Sequence, residues 1–119
     1  MSLPTAFASK SAIGKDALDM ATEKIEDLLN QPSVKFAGRM KEAWRTLQTT
    51  FGKDERYWKL YDNDKLRQMQ EQVSRLIAEC EKELEERPSP PGLNSIADNW
   101  QNDLTFVNKR IAELIADKS

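Results

Sequence analysis

An all-α fold, a four-helix antiparallel bundle with a long C-terminal helical hairpin, is predicted by three features of this sequence. Apolar residues recur at spacings of three and four along four separate stretches. Helix-stopping residues fall between those stretches, at Asn30-Gln31-Pro32, Gly52 and Arg87-Pro88-Ser89-Pro90-Pro91-Gly92. The alternation that marks a half-buried strand is absent from the sequence.

The first helix is expected over about 11–30. Leu18, Ala21, Ile25 and Leu28 draw one stripe down it, and Gly14 weakens its first turn. Pro32 ends it, because proline disfavours helical geometry in the residue before it. The second spans about 33–51 on Phe36, Met40, Trp44, Leu47 and Phe51, with Ala37 and Ala43 beside the stripe. Gly52 follows where a C-terminal cap favours a residue without Cβ. A short helical turn over 54–61 is rich in aromatics, with acidic residues leading and a basic one behind, as a helix dipole prefers.

The third long helix is expected over 63–86, with Asp62-Asn63-Asp64 supplying N-cap side chains. Leu66, Met69, Val73, Leu76 and Cys80 are spaced three, four, three, four, an a/d coiled-coil pattern sustained for two heptads. Glu71 with Arg75, and Glu83 with Arg87, are i,i+4 pairs in the favourable order. Residues 87–94 form a stiff Pro-rich linker. The last helix covers about 95–116. Ser95-Ile96-Ala97-Asp98 resembles a capping box, and Trp100, Leu104, Val107, Ile111 and Leu114 repeat the stripe of the helix before it. Two helices of matched length imply an antiparallel hairpin. A hairpin over 63–119 paired with another copy is the alternative architecture. Residues 1–10 are expected to be flexible, within one domain of 119 residues.

Composition narrows the function. Hydrophobic residues make up 39% and charged residues 32%, so the core is thin and a homodimer sharing it is expected. A net charge of −2 gives no global attraction to nucleic acid or an anionic membrane. No apolar run is long enough to span a bilayer, and no signal peptide is expected, which points to the cytoplasm. The single cysteine, Cys80, excludes an internal disulfide framework and falls at a stripe position, as a small buried hydrophobe. Histidine is absent, which removes imidazole bases, Ser-His and Cys-His pairs and histidine-bound zinc. Glycines 14, 38, 52 and 92 are too scattered for a phosphate-binding loop. No enzyme activity, cofactor or metal is therefore expected. The acidic run Glu79, Glu81, Glu83, Glu85, Glu86 is distributed around its helix and reads as a solvated surface.

What remains is a helical protein–protein interaction module. Arg56, Tyr57, Trp58 and Tyr61 are the candidate partner contacts, since Tyr, Trp and Arg dominate binding hot spots. The same segment suits a lid closing the end of a bundle better than an anchor: an exposed Trp58 favours the anchor, and a buried Trp58 removes that site. Trp44 and Trp100 lie on stripes and read as core. A nucleic-acid-associated regulator is the alternative function, using a basic face formed by Lys35, Arg39, Lys41 and Arg45. From Ser33 to Tyr61 there are seven basic and three acidic residues, a local charge of +4.

Overall fold

The structure is a computed structural model, which describes residues 16–32, 35–87 and 96–118. They form five helices and no strand: α1 (Ala17–Leu29), α2 (Phe36–Phe51), α3 (Glu55–Trp58), α4 (Asn63–Glu86) and α5 (Ile96–Lys118). The chain is an all-α helical bundle, with a single core that draws on all five helices.

Local chemistry sets the ends. Asp16 caps α1 by accepting from the Asp19 N–H at 2.9 Å. This helix therefore starts at Ala17, six residues later than the expected start at about 11, and directly ahead of its stripe at Leu18. At the start of α4 the Asp62 carboxylate accepts from the Lys65 N–H at 2.9 Å, and the helix covers the expected span. Gly52 ends α2 at φ +93°, a backbone that side chains rarely adopt. A Cβ there would stand 2.9 Å from the Cβ of Tyr57. Residues 1–15 and 88–95 lie outside the described residues, and with them the flexible N-terminus, the proline linker and the Ser95 capping box.

Side-chain pairs give the packing directions. Asn63 Nδ2 donates to the Ile115 carbonyl at 3.5 Å and Asn108 Nδ2 to Ser74 Oγ at 3.2 Å, so α4 and α5 run antiparallel. With 24 and 23 residues, each is about 35 Å long at ~1.5 Å per residue. Lys24 pairs with Glu42 at 3.0 Å and Arg39 reaches the Leu29 carbonyl at 3.3 Å, which sets α2 antiparallel to α1. Gln72 to Thr22 at 2.8 Å and Arg75 to Glu26 at 2.9 Å lay α1 along α4 in the same direction. Arg75 thus crosses to α1 rather than taking Glu71 on its own helix.

The expected stripes meet in the core. Ile25, Met40, Leu47, Leu66, Val73, Leu76 and Ile111 are fully buried. Cys80 is buried among them, and desolvation, followed by the charge of Glu79, pushes its thiol up to about 12. Trp44 and Trp100 pack against this core only partly buried, and Ala43 takes the central α2 place beside Met40. Ala43 lies three residues after Met40 and four before Leu47, which puts it on the buried line of the helix and leaves the adjacent Trp44 indole at its edge.

The solvated reading of the acidic run needs correction at two residues. Glu81, Glu85 and Glu86 are exposed, but Glu83 is buried and Glu79 is drawn into an ion pair. Glu83 stands three residues after Cys80 and continues the a/d stripe inward.

Candidate functional site

The segment after α2 is positioned by the turn at Gly52. Asp54 caps α3, accepting from the Arg56 N–H at 2.9 Å, and its other oxygen takes the Arg56 guanidinium at 2.8 and 3.1 Å. These bonds hold the Asp54 carboxyl below its usual range. The Tyr57 N–H donates to the Asp54 carbonyl at 2.8 Å, and the Leu60 and Tyr61 N–H groups continue the turn to Tyr57 and Trp58.

Two of the four candidate contact residues face inward. Trp58 is 5% exposed, and its indole N–H donates to the Gly52 carbonyl at 3.0 Å. Tyr61 is half-buried, edge-on to Phe51 with ring centroids 5.5 Å apart, and its hydroxyl reaches the Thr50 carbonyl at 3.4 Å. Trp58 therefore closes the end of the core as a lid, and the anchor expected at Trp58 and Tyr61 is corrected: only the outer residues of the segment are open to a partner. Burying the large apolar ring while its one N–H finds a carbonyl is the favourable arrangement for an indole. Arg56 and Tyr57 face outward instead, with Tyr57 57% exposed.

Sequence reasoning passed over Leu60, which is 79% exposed and stands beside them. Its signal was available, since Trp58 and Tyr61 are three residues apart and share a helical face that Leu60 does not continue. The result is a projection carrying Arg56, Tyr57 and Leu60 over a base of Trp58 and Tyr61.

That base is tied to three long helices. Trp58 and Tyr61 hold it to the end of α2. Lys65 of α4 lies with its ammonium 6.0 Å from the centre of the Tyr61 ring. From α5, Arg110 Nε donates to Glu55 at 3.2 Å while its Nη1 bonds Glu113, and the Lys118 ammonium donates to the Tyr61 carbonyl. The Arg110 hydrogen bond, opposed in part by desolvation, holds the Glu55 carboxyl below its usual value.

The proposed basic face of α2 is interrupted. Lys35, Lys41 and Arg45 are exposed, with Arg45 3.9 Å from Glu42. Arg39 is buried, pairs with Glu79 at 2.7 Å and lies 5.3 Å from the Phe36 ring centre. It follows Phe36 by three residues and precedes Ala43 by four, so helical spacing puts it on the buried stripe. A guanidinium spent inside the bundle cannot contact phosphate.

Among the described residues no group of three or more Cys, Asp or Glu side chains is placed to hold a metal ion, and no helix is long and apolar enough to cross a membrane. Set against known protein families, curated proteins and solved structures, the chain matches none.

Proposed function

We propose that this chain is a non-enzymatic helical interaction module, which docks on a protein partner through Arg56, Tyr57 and Leu60. One observation carries the reading: Arg56 and Tyr57, which are of hot-spot type, and the apolar Leu60 stand exposed on a turn pinned to α2, α4 and α5. Tyr and Arg are enriched where binding energy concentrates. A turn fixed before binding loses little conformational freedom on docking, so more of its contact energy appears as affinity. An adaptor, an assembly factor or an inhibitor of a larger complex uses such a surface in the same way. The partner is another protein or a second copy of this chain.

The test is affinity capture from the native source, comparing the unmodified chain with Tyr57→Ala/Leu60→Ala. Mass spectrometry is expected to lose one defined partner with the double variant, while the melting temperature is unchanged. Retention of the same partner would overturn the reading. Light scattering at micromolar concentration assigns the surface: one chain's mass points to a different protein, two to self-association. A gel shift that weakens steeply with salt, and again on Lys41→Glu/Arg45→Glu, would replace the proposal with nucleic-acid binding.

A further inference from the structure

On the outside of the bundle, α1 and α2 alone line an open groove of about 480 Å³. Ala17, Met20 and Ala21 form one bank, and Thr46, Thr49 and Thr50 the other. Met20 is 61% exposed, so one large apolar side chain stands over a groove of small ones. The Lys24 ammonium reaches the Glu42 carboxylate across it at 3.0 Å, and those two charges cancel.

The charges beside that pair are sorted by helix. Glu23 and Asp27 follow Met20 by three and seven residues, on its exposed face of α1. Arg45 lines the opposite bank, and Lys41 lies one turn before it, both exposed on α2. One bank is therefore acidic and the other basic, and that pattern selects the occupant. Two copies can meet face to face about a two-fold axis that runs either across these helices or along them. An axis across the helices lays α1 on α1 and sets carboxylate against carboxylate, which is repulsive. An axis along them lays α1 of each copy on α2 of the other, acid on base, twice over.

The register fits as well. Lys24 and Glu42 mark one level on the two antiparallel helices, and a two-fold along the helices preserves levels. Met20 and Thr46 each lie four residues from that pair in the same direction, so Met20 of each copy meets the threonine bank of the other. At ~1.5 Å per residue, Glu23 then stands within about 3 Å of the level of Arg45, and Asp27 within about 3 Å of that of Lys41. We propose that this chain pairs symmetrically with a second copy through the α1–α2 face. Glu23 meets Arg45 and Asp27 meets Lys41 between copies, and each Met20 enters the other copy's groove. With 13 and 16 residues the helices give a face only about 20 Å long, small for a specific interface, so the pair is weak. This face shares no residue with the α3 projection and does not depend on it.

The experiment is sedimentation equilibrium on the full chain, from about 5 to about 500 µM at low salt. A monomer–dimer equilibrium is expected, with a dissociation constant on the order of 10–100 µM that rises as salt screens the ion pairs. Lys41→Glu/Arg45→Glu makes both banks acidic and should weaken the dimer at least about tenfold. Glu23→Lys/Asp27→Lys makes both basic and should do the same. Joining all four substitutions exchanges the banks at an unchanged net charge of −2, and should restore the dimer. Tyr57→Ala/Leu60→Ala should leave it as it was. Every substituted residue is exposed, so the melting temperature of each variant is expected to stay near that of the unmodified chain. One chain's mass at the highest concentration, or a dimer indifferent to either reversal, would overturn the proposal. So would a fourfold variant that stays single. Loss of the dimer in Tyr57→Ala/Leu60→Ala would overturn it too, by moving self-association to α3.

Discussion

The two ends of this bundle are closed in opposite ways. At the C-terminal end of α2, rings cover the core, and the polar atoms of Trp58 and Tyr61 reach backbone carbonyls. At the N-terminal end of α2, charges join the one buried ring, Phe36: Arg39 and Glu83 are buried, each with an atom left unpaired. A buried ring with its one donor satisfied stabilises by area and packing. A buried ion pair recovers its desolvation only through geometry and full pairing, and replacing it with apolar residues is often neutral or better. The aromatic end is thus explained by stability, and its outer residues Tyr57 and Leu60 are exposed. The charged end is less well explained by stability.

This contrast can be broken by substitution. The largest effect is expected for Trp58→Ala, which empties the lid and should lose about 3–5 kcal/mol in urea unfolding. Tyr57→Ala, one residue away on the outer face, should stay within about 0.5 kcal/mol. At the other end, Arg39→Met strips the partner from a Glu79 that is itself largely buried, and should lose about 3 kcal/mol. Arg39→Met/Glu79→Met should recover most of that loss; a double variant as weak as the single would show that the pair itself stabilises the fold. Next comes Gly52→Ala, where positive φ and a Cβ only 2.9 Å from Tyr57 Cβ should remove about 1–3 kcal/mol, read from the thermal midpoint.

The smallest effect is a pH dependence at the aromatic end. The folded carboxyl of Glu55 lies below its ordinary value because Arg110 bonds it, with desolvation partly opposing. Its contribution is complete above the ordinary glutamate range and is lost as pH falls through the folded value. Glu55→Gln should therefore flatten the acid side of the stability–pH curve slightly, as a partly exposed pair allows. An unchanged acid limb would detach α3 from α5.

Much of the fold was legible because burial imposes a period. The α4 helix runs from Asn63 to Glu86 as its stripe and Asp62 cap indicated, and the α5 stripe meets it. Periodicity was followed only while the residues were apolar, however. Arg39 and Glu83 occupy stripe positions on antiparallel helices, and their charge hid what their spacing gave away. The site was legible by half. Composition singled out Arg56 to Tyr61, but composition has no direction, and Gly52 decides which rings turn in. The α1 start lies later than expected because Asp16, a short acceptor three residues before the Asp19 N–H, caps the helix just ahead of its stripe at Leu18.

The central claim is that the aromatic turn folds inward at Trp58 while Tyr57 and Leu60 remain outside. It is tested most directly in Trp44→Phe/Trp100→Phe, which leaves Trp58 as the sole tryptophan. Its fluorescence should be blue-shifted and resist acrylamide until the chain unfolds. Emission and quenching like those of free tryptophan in water would place Trp58 on the surface and contradict the account.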